Sequence, residues 1–236
     1  AEETLNGILP KLQKGWLLEA ALSALARVDP SQLPGMVNGL LMNPDPVMRA
    51  SAAALLAGQK DPGAFAAATK MLGDAEPRVR VVAIPIVVDQ DGPVAELLVG
   101  LFRSPDPVVR AAVADAVGGR FVNPHSAVET RDDLFAELEE VWGASAVDTL
   151  PDAKLSVVDA VAKAGKEDRT KSALNRALAD PDVIVRRRAA ARFKDVFAED
   201  RSQAVGPATD RPLSDYVEIV RFALVPHTAV ITMQRP

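Results

Sequence analysis

"NPDPVMRASAAALLA" (residues 43–57) sets two prolines beside an acid, then a lone arginine, then an almost unbroken run of alanine and leucine. The prolines and Asp45 read as a helix start, with Asn43 or Asp45 as the cap and Pro46 in the first turn, where a missing N–H costs nothing. The pattern then recurs as "DAEPRVRVVAIPIVV" (74–88), "SPDPVVRAAVADAVG" (104–118) and "DPDVIVRRRAAARFK" (180–194). Arg49, Arg80 and Arg110 stand 31 and 30 residues apart. One helix pair cannot bury its own apolar side, so a period near thirty predicts a stack of pairs sharing a continuous core.

The step from Arg110 to Arg186 is 76 residues and interrupts the rhythm. A degenerate copy, "LPDAKLSVVDAVAKAG" (150–165), mends it, with Ser156 placed 30 residues before Arg186. The surplus then falls in "GRFVNPHSAVETRDDL" (119–134), as a loop insertion or an extended helix. Counting back from Arg49 reaches Glu19 in "WLLEAALSALARV" (16–28), a copy without its arginine. Partner helices are expected at 30–42, 62–73, 93–103, 131–143 and 167–179, each with one apolar stripe at three- and four-residue steps. Pro85 lies inside the second copy, where a proline costs about 3 kcal/mol in an undisturbed helix, so a kink or an early end is expected there.

These copies carry the motif [D/N/S]-x-[D/E]-P-x-[V/M]-R-x-x-A, and over residues 16 to 198 the chain resembles the HEAT-repeat family, in particular its short bacterial, phycobilisome-lyase-like variety. The resemblance implies an all-α, right-handed superhelix of five to six helix pairs. It also implies a ladder in which Arg49, Arg80, Arg110 and Arg186 reach the acid or carbonyls of an adjoining turn, with Asp74 and Asp180 among the acceptors. A guanidinium offers five donors in a rigid fork and can tie several loop carbonyls at once, so lysine is expected to be a poor substitute. In the family the arginine helices line the concave surface, and the positions one, two and five after the arginine face into it. Here those are Ala50, Ser51 and Ala54; Val81, Val82 and Pro85; Ala111, Ala112 and Asp115; Arg187, Arg188 and Ala191. A freely solvated surface would carry Lys and Glu, so this stripe is either covered by a protein or peptide partner or buried by tight curvature.

Composition narrows the classes. With 48% hydrophobic and 25% charged residues the chain is too apolar to be disordered, and 4% aromatic content with few strand-like runs favours helices. A net charge of −5 argues against nucleic acid as the main partner. No apolar run reaches the length of a membrane span. With no cysteine there is no disulfide, thiolate zinc site or thiol nucleophile. His125 and His227 are the only histidines, 102 residues apart and without partners at metal-ligand spacing, so neither a metal nor another cofactor is expected. The adjacent acids Asp132 and Asp133, and Glu139 and Glu140, point apart on a helix rather than sharing a site. No phosphate-binding or nucleophile-elbow motif occurs. The one basic cluster, "VRRRAAARFKDVF" (185–197), reads as a solvated face around Arg187, Arg188, Arg192 and Lys194.

Beyond Ala198 the pattern changes. Residues 199–212 read as a linker, and 213–236 as a short helix followed by a strand or extended tail, "HTAVITMQRP". "RPLSDY" (211–216) with this helix and tail resembles the junction where a HEAT-repeat region precedes a cyclophilin-type peptidyl-prolyl cis-trans isomerase domain, which implies a further domain beyond Pro236. That family's F-H-R segment has no counterpart, so no catalytic residue is assigned within this chain. The expected role for residues 1–198 is a protein-binding scaffold, whose partner is a polypeptide client or an intramolecular downstream domain. A HEAT-type DNA glycosylase, resting on the basic cluster, a bilin lyase-like enzyme and a structural spacer are the alternatives.

Overall fold

A computed structural model of the chain describes residues 37, 39–56, 62–88, 94–122 and 130–206, together with Ala20, Ala21 and Ala24. Those residues form an all-α helical-repeat solenoid. Its helices are α1 (Pro46–Leu56), α2 (Pro62–Met71), α3 (Pro77–Val88), α4 (Val94–Phe102), α5 (Pro107–Arg120), α6 (Arg131–Ala144), α7 (Asp152–Lys163), α8 (Asp168–Leu178) and α9 (Val183–Phe197). Short 3-10 turns follow α6 at Ser145–Val147 and α9 at Ser202–Val205. The copy at 16–28, both histidines and the tail at 207–236 lie outside the described residues, apart from the three alanines named above.

The odd-numbered helices are those of the arginine motif, and they pack consecutively side by side, α1 on α3, α3 on α5, α5 on α7 and α7 on α9. The even-numbered helices form a second layer behind them whose backbones stand further apart, and α6 and α8 meet through long charged side chains. Two layers of unequal spacing bend toward the tighter one, so the arginine helices form the inner layer. Small residues make the close approach possible. Ala52, Ala53, Ala83, Ala114, Ala160 and Ala189 are all buried, and Gly118 sits so near α7 that an added Cβ would lie 2.7 Å from both Cα and Cβ of Ala160. Between the layers Leu56, Ile84, Leu98, Leu138, Leu174 and Phe193 are almost fully buried, each such side chain worth about 1.5–3 kcal/mol of transfer free energy.

Helix starts follow the chemistry read from the motif. Asn43 Oδ1 accepts from the N–H of Asp45 and Asp45 Oδ1 from that of Val47, both at 2.9 Å, so the two residues work in series, one folding the turn and the other capping α1. Asp106 and Asp182 repeat the cap for α5 and α9. Thr130 and Asp133 form a reciprocal capping box on α6. Of the two outcomes expected at Pro85, the early end does not occur. α3 continues to Val88, because Ala83, Ile84, Ile86 and Val87 anchor the last turn in the core while the proline ring faces solvent. The surplus residues are divided between a longer α5 and the connection after it, whose residues 123–129 lie outside the description.

Candidate functional site

The inner layer presents two features, a ladder of charges along its loop edge and a face open to solvent. At the first rung Arg49 donates from Nε and Nη2 to the two carboxylate oxygens of Asp74, each at 2.8 Å, while Nη1 holds the carbonyls of Asn43 and Pro44 in its own loop at 2.8 and 3.2 Å. Asp74 Oδ1 also accepts from the N–H of Glu76, so one acid folds its own turn and ties it to the previous repeat. The Arg49 hydrogen bonds, first of all, hold the Asp74 carboxyl below its ordinary value, and Asp74 in return raises Arg49. Arg80 donates from Nη1 to the carbonyls of Asp74 and Ala75 at 2.6 and 3.1 Å. Arg110, only 3% exposed, bonds the carbonyl of Ser104, the hydroxyl of Ser145 and both oxygens of Asp148. Arg186 holds the carbonyls of Asp180 and Pro181 at 2.8 and 2.7 Å, and its Nε donates to the carbonyl of Val205 at 2.6 Å. Residues 199–206, the described part of the stretch read as a linker, therefore pack back on α9.

The degenerate copy is corrected by two residues. The cation of that rung is Lys154, whose Nζ lies 2.8 Å from Asp180 Oδ2, whereas Ser156 is fully buried. Ala153, Val157, Val158 and Val161 repeat the buried places of Val109, Val113, Ala114 and Val117 once Lys154 is set against Arg110. Asp148 stands six residues before Lys154, as Asp74 stands before Arg80 and Asp180 before Arg186. Lysine takes over half the work: it reaches the next repeat's acid but, among the described residues, no carbonyl of its own loop. Counting by a constant thirty concealed this, since the step from Lys154 to Arg186 is 32. The acid six positions upstream was the signal that could have found it.

The expected concave stripe separates by position. Ala50 and Ala111, one after the arginine, are closed into the seam with the neighbouring helix, and Val81 is half-buried. Those places serve packing, because an approach close enough to need alanine leaves no opening. Ser51, Val82, Ala112 and Arg188 are half-buried, and Ala54, Pro85, Asp115, Arg187 and Ala191 are exposed. One turn earlier, two before the arginine, Val47 and Val108 join the same face at 45% and 42% exposure, with Arg78 beside them. The open surface of α1, α3 and α5 is thus built from small and apolar side chains at helical spacing, with Arg78 and Asp115 its charges.

The α7–α9 end of the same layer is charged and internally paired. Asp159 accepts from Arg188 Nη1 and Arg192 Nε, both at 2.8 Å, and Arg192 also reaches Asp195 at 3.0 Å. The Asp159 hydrogen bond raises the Arg192 guanidinium above its ordinary value. With Arg186 in the ladder, three of the five cations of "VRRRAAARFK" are held by this protein's own groups, leaving Arg187 and Lys194 exposed. The outer layer carries its own pairs, Arg103 with Glu140, Arg176 with Glu139, Arg169 with Asp132 and Arg131 with Glu167. The adjacent acids of α6 therefore take different partners. No cluster of three metal-ligating side chains occurs among the described residues, and no described helix is long and apolar enough to cross a membrane.

Compared with known families, residues 33–118 match HEAT repeats, a span that ends within the last turn of α5. No curated protein and no solved structure matches the chain. The fold is that of an α-helical repeat protein, and its stretch 33–118 is similar to HEAT repeats.

Proposed function

We propose that the chain is a protein-binding scaffold that holds an extended polypeptide on the open face of α1, α3 and α5. The observation that carries this is the composition of that face: Val47, Ser51, Ala54, Val82, Pro85, Val108 and Ala112 are open or half-open to solvent, whereas the outer helix α6 exposes Arg131, Asp132, Asp133, Glu139 and Glu140. Apolar places at constant spacing along a concavity suit a chain with no fixed fold of its own, since burying them needs no matching charge. HEAT repeats commonly serve such a purpose. The finer reading is recruitment of clients to a cyclophilin-type isomerase domain, which would gain by a raised local concentration of X-Pro bonds. Its support is the resemblance of 211–236, which lies outside the described residues.

The test is titration of an unfolded, proline-rich polypeptide against the full chain and two variants. Ala54→Glu places a charge on an exposed position with little cost to folding, and Val82→Glu places one at a half-buried position in the middle of the face. Both are expected to weaken binding by about tenfold or more, with helical content unchanged for Ala54→Glu. Equal affinity for the three proteins would remove the reading.

A further inference from the structure

We propose that Arg80 is the docking point for a carboxylate of the bound polypeptide, so that the preferred partner carries Asp or Glu flanked by apolar residues. The proposal deepens the reading of the inner face as a polypeptide site and rests on it. Its origin is an irregularity in the ladder. Arg49 divides its donors, Nη1 for its own loop and Nε with Nη2 for Asp74 of the next repeat. Arg110 gives Nη1 to Ser104 and Nη2 to Asp148, and Lys154 gives its ammonium to Asp180. Arg80 performs the first half of this, with Nη1 on the carbonyls of Asp74 and Ala75. Where the next repeat should offer an acid it offers Ser104, whose Oγ accepts from the N–H of Asp106 at 3.3 Å. Among the described residues no hydrogen bond or ion pair is made by Arg80 Nε or Nη2.

A guanidinium edge with two parallel donors fits a carboxylate bidentately, and the Arg49–Asp74 pair shows that geometry one repeat away. Arg80 is half-buried, so the edge is reachable while water competes only in part. The acids near it are engaged: Asp74 with Arg49, and Asp106 with the N–H groups of Val108 and Val109. Glu76, four residues before Arg80, makes no ion pair with it among the described residues. Arg78 adds an exposed positive charge two residues before Arg80. The loop that lacks the acid also carries Val108, 42% exposed, and Val82 follows Arg80 on α3, so apolar neighbours of a docked carboxylate meet apolar surface.

Two acetylated and amidated peptides, Ala-Val-Asp-Val-Ala and its Asn counterpart, test this against the full chain. The readout is the Nε–Hε resonance of Arg80, assigned by its loss in Arg80→Lys. The Asp peptide is expected to shift that resonance and to bind about tenfold or more tightly than the Asn peptide. Ser104→Asp supplies the missing acid from within, as Asp74, Asp148 and Asp180 do elsewhere, and is expected to raise the melting temperature and to reduce Asp-peptide affinity to that of the Asn peptide. Equal affinities for the two peptides, an unmoved Arg80 resonance at millimolar Asp peptide, or undiminished binding to Ser104→Asp would overturn the proposal. Should Ala54→Glu lose the proline-rich polypeptide while Ser104→Asp binds the Asp peptide as before, the apolar face stands and the carboxylate site falls. An Arg80 response with Ala54→Glu fully active would mean the reverse.

Discussion

Arg110 shows what a single residue contributes to a repeat. It is almost wholly buried, so its charge is tolerable only because Ser104, Ser145 and Asp148 meet its donors. Arg110→Ala leaves Asp148 without its partner and is expected to cost about 3–5 kcal/mol in urea unfolding, with Arg110→Lys between that and the wild type. Asp74 gives the ladder a pH dependence. Its folded carboxyl is held below its ordinary value by Arg49, so its contribution is present in full above the unfolded value and is lost as pH falls through the folded one. The stability difference between wild type and Asp74→Asn should therefore shrink once pH drops below about 4, as followed by thermal melts across the acid range. The arginines and the residue six before each could be picked out from the sequence because proline and acid repeat at fixed distances from them. Lys154 could not be found by counting, since the step into it absorbs the surplus residues after α5. The exposure of each stripe position was equally hidden, because alanine is as much at home in a seam as on a surface.

Among the elements, α5 and α7 are the most closely packed, and glycine is the reason. A Cβ at Gly118 would meet the backbone of Ala160 at 2.7 Å, whereas one at Gly119 meets nothing within 4 Å. Gly118→Ala is expected to destabilise by about 1–2 kcal/mol, overpacking outweighing the gain in helix propensity. Gly119→Ala should be neutral or stabilising by up to about 1 kcal/mol. Comparing the two by chemical denaturation separates interhelical contact from intrinsic propensity, and equal shifts would mean that α5 and α7 do not approach as described. Among the described residues, α1 to α9 were legible as alternating motif and partner segments, since each keeps one apolar stripe between proline- or acid-marked starts. The course of α3 through Pro85 was not, because propensity describes a helix alone and takes no account of the buried residues on either side of the proline.

For the whole molecule, the two layers do different work. The inner layer is joined by close packing and by ion pairs buried at the loop edge. The outer layer is charged over α6 and α8, and the exposed pairs that link its repeats there are worth only about 0–1 kcal/mol each, so they add little strength. The inner surface changes character along its length, apolar over α1, α3 and α5 and charged but self-paired over α7 and α9. HEAT repeats are matched over the apolar part, where the arginine period is regular, and the match ends before the longer step to Lys154. Chain period predicts a stack, but what the stack holds depends on which side chains remain open after curvature, and that is a property of the assembled layer. The most direct test is methyl chemical-shift mapping of the full chain during titration with the unfolded proline-rich polypeptide. Shifts concentrated at Ala54, Val82, Val108 and Ala112 are the predicted result, and shifts confined to Val99 and Val147, which are exposed away from that face, would contradict it.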